Sequence, residues 1–89
     1  MRKVILTAQF EKDVKRARKR SYDMSKLANA IRLLGQGDLE DRQTQDHPLK
    51  GKYEGLRECH LSPDWLLIYN SSLDQVLLVR TGTHADLFR

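Results

Sequence analysis

Residues 65–81 read WLLIYNSSLDQVLLVRT and decide the fold. Two apolar runs, at positions 66–68 and 76–79, flank a polar stretch at 71–74. Aliphatic and β-branched runs that are bounded by Ser and Asp are typical of strands joined by a turn. Because each run is apolar on both faces, the two strands are predicted to be central in a sheet that is covered at least partly on each side.

A third strand is predicted just before this hairpin, at residues 56–61, and Ser62-Pro63-Asp64 is predicted to form the turn between them. Strands at 56–61, 65–70 and 75–81 then form an antiparallel meander. Near the start of the chain, the β-branched Val4 and Ile5 predict a short first strand at residues 3–6.

Two amphipathic helices are predicted between the first strand and the meander. Thr7 is a suitable N-cap for the first helix and Asp23 for the second, and Gly35 and Gly37 are expected to end the second. Apolar residues recur at helical spacing in both. They are Phe10, Val14 and Ala17 in the first helix, and Met24, Leu27, Ala28, Ile31 and Leu34 in the second. The two helices are expected to form a hairpin that covers one face of the sheet.

The polar stretch at 38–52 has no hydrophobic period and is interpreted as an ordered surface loop, which contains His47-Pro48. The resulting order, β-α-α-β-β-β, predicts an α+β fold with an N-terminal helix hairpin packed on a small, mainly antiparallel sheet. With 89 residues, the chain is expected to be a single domain over positions 1–89.

The one cysteine, Cys59, cannot form an internal disulfide and is interpreted as a small buried side chain. The first residues lack the apolar run of a signal peptide or a membrane span. A soluble, cytoplasmic protein that does not engage a membrane is therefore expected.

Positive charge is concentrated in the first third of the chain. Residues 1–32 carry ten Lys or Arg and three Asp or Glu, whereas the remainder carries six and nine, for a net charge of +4. A basic surface of this kind favours a polyanion as partner. We predict that four residues of the first helix contact RNA: Lys15, Arg16, Lys19 and Arg20. The alternative is a solvated helix face with no partner.

The chain has only three histidines, and His60 and His84 lie close in sequence to Asp64 and Arg80. Histidine exchanges protons near neutral pH, and arginine supplies permanent positive charge for a phosphate. These residue types suit metal-free cleavage of RNA, in which a base activates the 2′-hydroxyl and an acid protonates the departing 5′-oxygen. DNA lacks the attacking hydroxyl, so the substrate would be RNA.

A row of side chains across the meander would bring these residues together. If Asn70 pairs with Gln75, Trp65 lies opposite Arg80; if the Ser62-Pro63 turn is tight, His60 lies opposite Trp65. The row would then be His60, Trp65 and Arg80, with Asp64 at its edge and His84 just beyond. Trp65 and Phe88 would hold a splayed base by stacking. A slip of one residue would move part of the row to the other face.

Three motifs in order resemble the YafQ branch of the RelE/ParE toxin superfamily. They are DHPLKG at 46–51, HLSPDWLLIY at 60–69 and RTGTHADLF at 80–88, and the resemblance extends over essentially the whole chain. It implies a microbial-ribonuclease-like fold and a bacterial type II toxin that cleaves mRNA in the ribosomal A site. It also implies a cognate antitoxin as partner, in a complex that can bind its operator DNA.

The resemblance also implies an active site at the matching positions. These are His47, His60, Asp64, Arg80, His84 and Phe88, with Trp65 beside them. His84 is the candidate general acid, and His60 or His47 the base, with Asp64 sharing that role or orienting a histidine. Arg80 would stabilise the phosphate, and Phe88 would position the base or His84. The division between acid and base stays open.

Each of these residues also has a structural interpretation. His47 can be a loop residue, His60 a half-buried strand residue, Asp64 a turn residue and Trp65 part of the core. Arg80 can be held by an acid such as Asp64, and the pair His84 and Phe88 can pack on a final helical turn.

Other functions remain open at this stage. A zinc site of three histidines lacks the usual short ligand spacing, and Arg80 would oppose a cation, so neither a metal nor another cofactor is expected. A ParE-like toxin that acts on DNA gyrase would share the fold. A non-catalytic nucleic-acid-binding module would account for the basic helices but leave the C-terminal residues unexplained.

Overall fold

The computed structural model describes residues 2–36, 47–48 and 51–88, with only the backbone at 47–48. The helices and strands occur in the predicted order, β-α-α-β-β-β, with short additions. They are β1 (Lys3–Leu6), α1 (Ala8–Lys19), α2 (Met24–Gln36), β2 (His47–Pro48), β3 (Arg57–Ser62), β4 (Trp65–Ser71), β5 (Gln75–Gly82) and α3 (His84–Leu87), with a 3-10 turn at Gly51–Tyr53.

The strands form one sheet in the order β1-β5-β4-β3-β2. β1 runs parallel to β5, and the other neighbours are antiparallel. β4 and β5 are therefore interior strands, as their continuous apolar runs predicted.

The two faces of the sheet are covered by different parts of the chain. On one face α1 and α2 pack over alternate strand residues, including Cys59, Leu67, Tyr69 and Leu78. On the opposite face a smaller cluster joins strand residues to Tyr53 and Leu87. Successive strand residues point to opposite faces, so His60, next to Cys59, lies on the face of the smaller cluster.

Both predicted N-caps are present. The Thr7 hydroxyl accepts a hydrogen bond from the Phe10 backbone N–H at 3.0 Å, and an Asp23 carboxylate oxygen accepts one from the Ser25 backbone N–H at 3.0 Å. Each cap satisfies an N–H that the first helical turn leaves without a partner. Gly35, expected to lie beyond α2, is inside it and buried, and a Cβ there would lie 3.6 Å from Val4. Gly37 lies outside the described residues.

The strand register differs from the prediction. Asn70 pairs with Leu77 and Ile68 pairs with Arg80, with a shift between Ile68 and Tyr69. His60 pairs with Leu66, and a second shift lies between His60 and Ser62. These irregularities put extra residues on one strand, which changes the face that later side chains occupy. The predicted row of His60, Trp65 and Arg80 is therefore wrong.

The stretch interpreted as a loop contains a short strand at 47–48 and the start of a 3-10 turn at 51–52. His47 and Pro48 pair with Glu58 and Arg57 at the outer edge of β3. Two residues are too few to show a period, and an edge position tolerates proline because its missing N–H can face away from the sheet. Among the described residues, no helix is long and apolar enough to cross a membrane.

Candidate active site

His84 is held against Asp64 at the start of α3. Its ring Nδ1 lies 2.9 Å from Asp64 Oδ1, and its backbone N–H donates to the same oxygen at 3.1 Å. Asp64 reaches this position from the turn between β3 and β4. The His84 backbone N–H, and then its side chain, hold the pKa of Asp64 below its usual range. The structure thus contains the contact expected if Asp64 orients a histidine.

His60 has a carboxylate partner that the sequence did not single out. Its ring Nε2 lies 3.2 Å from Oε1 of Glu58, a buried residue of the same strand. The His60 and His84 ring centroids are 6.1 Å apart. Two imidazoles, each beside its own carboxylate, therefore face one small space.

Aromatic rings support His84 from its C-terminal side. The Phe88 ring lies 5.9 Å from the His84 ring between centroids, and the Tyr53 ring meets Phe88 edge-on at 5.4 Å. The Tyr53 hydroxyl donates to the Leu87 carbonyl at 2.9 Å. Phe88 remains 41% exposed. It can pack on His84 and still contact a ligand.

Arg80 is oriented by Asp13 of α1. Its Nε and Nη2 donate to the two carboxylate oxygens of Asp13 at 2.8 and 3.0 Å. Hydrogen bonding to Asp13 raises the pKa of the Arg80 guanidinium, with smaller contributions from Tyr53. Asp13, and not Asp64 as considered above, is thus the acidic partner of Arg80. It is 1% exposed and also accepts the Thr81 backbone N–H at 3.2 Å.

Trp65 lies on the helix-covered face, away from the two histidines. It is 4% exposed and packs against Tyr22 with 5.0 Å between ring centroids. Its indole N–H donates to the Thr81 hydroxyl at 3.0 Å. A groove of about 290 Å³ adjoins it. Its lining residues are Tyr22, Asp23, Lys26, Ser62, Asp64, Trp65 and Thr83. Stacking of a base on Trp65 stays a prediction, restricted to the part of the ring that reaches this groove.

Comparison with known proteins identifies the family of the chain. The sequence model of one family, described as the bacterial toxin of type II toxin-antitoxin system, YafQ, matches residues 2–89. This chain belongs to the YafQ toxin family. The resemblance inferred from the three motifs is thereby confirmed.

Similar toxins cover nearly the whole chain. The mRNA interferase toxin YafQ of Escherichia coli strain K12 is 43% identical over 88 residues, which cover 98% of this chain and 96% of that protein. YafQ in the crystal structure of the E. coli DinJ-YafQ toxin-antitoxin complex has a TM-score of 0.90 at 43% identity, with 99% of this chain and 98% of that chain covered. A copper-bound mutant toxin from Helicobacter pylori has a TM-score of 0.90 at 40% identity, with 99% and 100% covered.

The two histidines of the site and Glu58 could together hold a metal ion. Ligand atoms of Glu58, His60 and His84 all lie within 4.8 Å of one another. The zinc site weighed from sequence contained the three histidines; the set found here contains a buried carboxylate and two of them. Imidazole and carboxylate are ligands that zinc and copper accept, so the donor set fits such an ion.

The predicted RNA-contacting residues of α1 differ in their surroundings. Lys15 and Lys19 are exposed. Arg20 donates to both oxygens of Asp86 at 2.7 and 3.2 Å, and Arg16 lies 3.1 Å from Asp13 and 3.7 Å from Asp86. The two arginines therefore hold protein carboxylates, and an RNA contact by any of the four stays a prediction.

The side chain of His47 lies outside the described residues, although its backbone pairs with Glu58 beside the site. Its role as a base stays a prediction.

Sequence reasoning missed Glu58, Asp13 and Tyr53. Glu58 precedes His60 by two positions in one strand, so strand alternation would have placed both on one face. Asp13 falls within the apolar stripe of α1, where a charged residue needs a buried partner. Tyr53 reaches the site through the 3-10 turn, and no local pattern indicates that.

Proposed function

We propose that this chain is the toxin of a type II toxin-antitoxin pair, and an endoribonuclease that cleaves mRNA in the ribosomal A site. The observation that carries the proposal is the pair of imidazoles, 6.1 Å apart between ring centroids, each beside its own carboxylate. An acid and a base on either side of one phosphate are what internal transesterification of RNA requires.

His60 acts as the base and His84 as the acid. Neutral His60 takes the proton of the 2′-hydroxyl as O2′ attacks phosphorus, and protonated His84 gives a proton to O5′ as the P–O5′ bond breaks. The products are a 2′,3′-cyclic phosphate and a 5′-hydroxyl. Afterwards His60 carries the extra proton and His84 has lost one, so hydrolysis of the cyclic product in the reverse roles restores both. Asp64 orients His84 and is not itself the base.

Arg80 stabilises the charge that develops on the phosphate. Asp13 binds Nε and Nη2 of the guanidinium and fixes its plane. Other N–H groups of Arg80 remain to donate to phosphate oxygens, and donors that are oriented before the reaction stabilise a transition state at little reorganisation cost. Phe88 packs on His84 and presents an exposed edge to a substrate base.

The partners follow from the relatives and the charge. The E. coli YafQ relative forms a complex with DinJ, and this chain is paired with a cognate antitoxin in the same way, in a complex that binds its operator DNA. Exposed Lys15 and Lys19 contact ribosomal RNA. A substrate carried on ribosomes places the protein in the cytoplasm. A gyrase-directed toxin has no use for the imidazole pair, which disfavours that alternative.

Replacing the proposed acid tests the function. His84→Ala should lower single-turnover cleavage of A-site mRNA on programmed ribosomes roughly 10²- to 10⁴-fold, the usual contribution of a general acid. Primer extension on the bound mRNA measures the cut, and growth arrest should be lost in parallel. Folding and antitoxin binding should be unchanged, because the His84 side chain is 54% exposed and lies outside the buried core. Toxicity and cleavage at normal levels in this variant would refute the proposal.

The same assay with a chelator separates proton transfer from metal chemistry. A mutant of the H. pylori toxin is copper-bound, and an ion on Glu58, His60 and His84 here would block both imidazoles. Cleavage should therefore persist with a chelator that is selective for zinc and copper and leaves ribosomal Mg²⁺ in place, and should fall when copper is added. Loss of cleavage on chelation, restored by metal, would instead establish a metal-dependent reaction.

A further inference from the structure

His84 is carried by a helix that needs outside support. α3 spans only four residues, His84–Leu87, and one helical turn is not stable by itself in water. Leu87 is fully buried and anchors one side of the turn. His84 is exposed, with 54% of its side chain accessible. The orientation of its ring therefore depends on the polar contacts of α3.

Asp86 makes those contacts. Its Oδ2 accepts the Thr83 backbone N–H at 2.9 Å, while the Thr83 hydroxyl accepts the Asp86 N–H at 3.1 Å. This reciprocal capping fixes the first turn of α3. The same carboxylate binds Arg20 through both oxygens, at 2.7 and 3.2 Å. One side chain thus caps α3 and ties it to α1.

The ion pair between Arg20 and Asp86 belongs to a longer row of charged side chains along α1. Arg16 Nη2 lies 3.7 Å from Asp86 and 3.1 Å from Asp13, and Asp13 in turn holds Arg80. Gly82 leaves room for this arrangement, because a Cβ there would lie 3.0 Å from both Arg16 Nη2 and Asp86 Oδ2. The charges on α1 therefore connect to both Arg80 and His84.

We propose that Arg20 and Asp86 are positioning residues for His84. On this proposal, the face of α1 that carries Arg16 and Arg20 orients the active site and does not chiefly attract RNA. The inference rests on the proposed function, in which His84 is the general acid. Arg20 holds Asp86, Asp86 fixes the turn, and the turn sets the ring of His84 against Asp64. Loss of the Arg20–Asp86 ion pair lets His84 move relative to the scissile phosphate, and small displacements of a reacting group lower the reaction rate.

Two arginines of α1 provide a matched test. Arg18 is exposed on the same helix and faces the groove lined by Leu6 and Val14. Arg18→Gln and Arg20→Gln each remove one positive charge from α1. If charge only attracts RNA, both should raise KM equally and leave kcat unchanged. If Arg20 positions His84, Arg20→Gln should lower kcat about two- to fivefold, the range for an exposed ion pair, and Arg18→Gln should leave kcat unchanged.

A double-mutant cycle adds a second measurement. Asp86→Asn keeps the shape of the side chain and removes its charge. The double variant Arg20→Gln with Asp86→Asn should lose no more kcat than Asp86→Asn alone, because Asp86→Asn already breaks the contact that Arg20→Gln removes. Additive losses would overturn the proposed pair.

An NMR measurement tests positioning without any RNA. The His84 ring lies 2.9 Å from Asp64 and 5.9 Å, between centroids, from the Phe88 ring, so the cross-peaks between the His84 and Phe88 ring protons should weaken in Arg20→Gln and be unchanged in Arg18→Gln. If the cross-peaks weaken but the unaltered protein does not cleave RNA, the proposed function fails while the positioning role holds. If Arg18→Gln and Arg20→Gln agree in kcat and in these cross-peaks, the positioning role is refuted.

Discussion

The two imidazoles of the site are held in different ways. His60 lies within β3 beside buried Glu58, and their side chains are 21% and 5% exposed. His84 lies on a single helical turn beside Asp64, and their side chains are 54% and 65% exposed. The first pair is fixed by a sheet, and the second by ion pairs and capping bonds in contact with water. Interactions in the second pair are weaker and more sensitive to salt.

This difference suits the proposed roles. The base must meet a hydroxyl of defined position, which a residue locked in a sheet does well. The acid must follow a departing oxygen and exchange its proton with solvent, which an exposed ring permits. A buried side and an exposed side of one site should therefore respond differently to substitution.

Removing the imidazole of the buried side should have the largest effect. His60→Gln takes away the proposed base, and cleavage of A-site mRNA should fall roughly 10²- to 10⁴-fold. The pH dependence should also change from bell-shaped to a single limb, because only one member of the proposed acid and base pair remains. Single-turnover rates from pH 5 to 9, a range of about two units on either side of neutrality, provide the measurement.

A bell-shaped profile retained in His60→Gln would mean that another group is the base. His47 is then the candidate base, and His47→Gln measured in parallel would show the loss of cleavage.

Exchanging each carboxylate for an amide tests the comparison directly. Glu58→Gln should lower kcat roughly 10²-fold, because a buried orienting carboxylate sets the tautomer and direction of its histidine. Asp64→Asn should lower it only about two- to fivefold, the usual range for an exposed pair. Rates at saturating ribosomes, with thermal unfolding as a control for folding, give the two values.

Salt provides a second distinction between these variants. Raising the ionic strength should reduce the difference in kcat between the unaltered protein and Asp64→Asn. It should not change the loss of kcat in Glu58→Gln. A larger loss for Asp64→Asn than for Glu58→Gln would reverse the comparison and make α3 the more tightly organised side.

The sequence predicted the elements of this fold well, and their register poorly. Strand limits at 65–70 and 75–81 agree with β4 and β5 to within one residue, because apolar runs between turn residues are a local signal. The pairing of Trp65 with Arg80 failed because Asn70 lies opposite Leu77, two residues beyond the predicted Gln75, and a bulge then adds one more residue. An apolar run fixes neither the pairing at a turn nor a bulge. One extra residue moved Trp65 into the core and away from His60.

The site shows the same limit. Motif positions identified His60, Asp64 and His84, and the structure brings these three together. The motifs did not predict the partners of the charged groups. Asp13 binds Arg80, 67 positions away in sequence, and Asp86 binds Arg20, 66 positions away. Counting charge on α1 predicted a nucleic-acid surface, whereas pairing across the fold shows Arg16 and Arg20 already bound to carboxylates. The pattern of charged residues along a helix predicts that a surface is basic, but it does not predict which of those residues pair with carboxylates of the same protein.

Acid should loosen the exposed side first, and this is the smallest effect expected. Hydrogen bonding to Arg20 holds the pKa of Asp86 well below its usual range, and His84 lowers that of Asp64. Carboxylates of this kind add stability that is fully present above the unfolded pKa of about 4 and is lost as pH falls through the folded value. The contacts of α3 should thus be intact at neutral pH and weaken progressively as the pH falls below about 4.

Amide hydrogen exchange can follow the two sides separately. The Leu87 and Phe88 N–H groups donate to Thr83 and His84 carbonyls within α3, and their protection should fall about two- to fivefold in acid, as expected for exposed ion pairs. Amides of β4 should keep theirs, after correction for the intrinsic pH dependence of exchange. Asp86→Asn should show the weakened α3 already at neutral pH, and Asp74→Asn in the distant β4–β5 turn should not. Simultaneous loss in α3 and β4 would mean that the site unfolds as one cooperative unit, so that no separate exposed side exists.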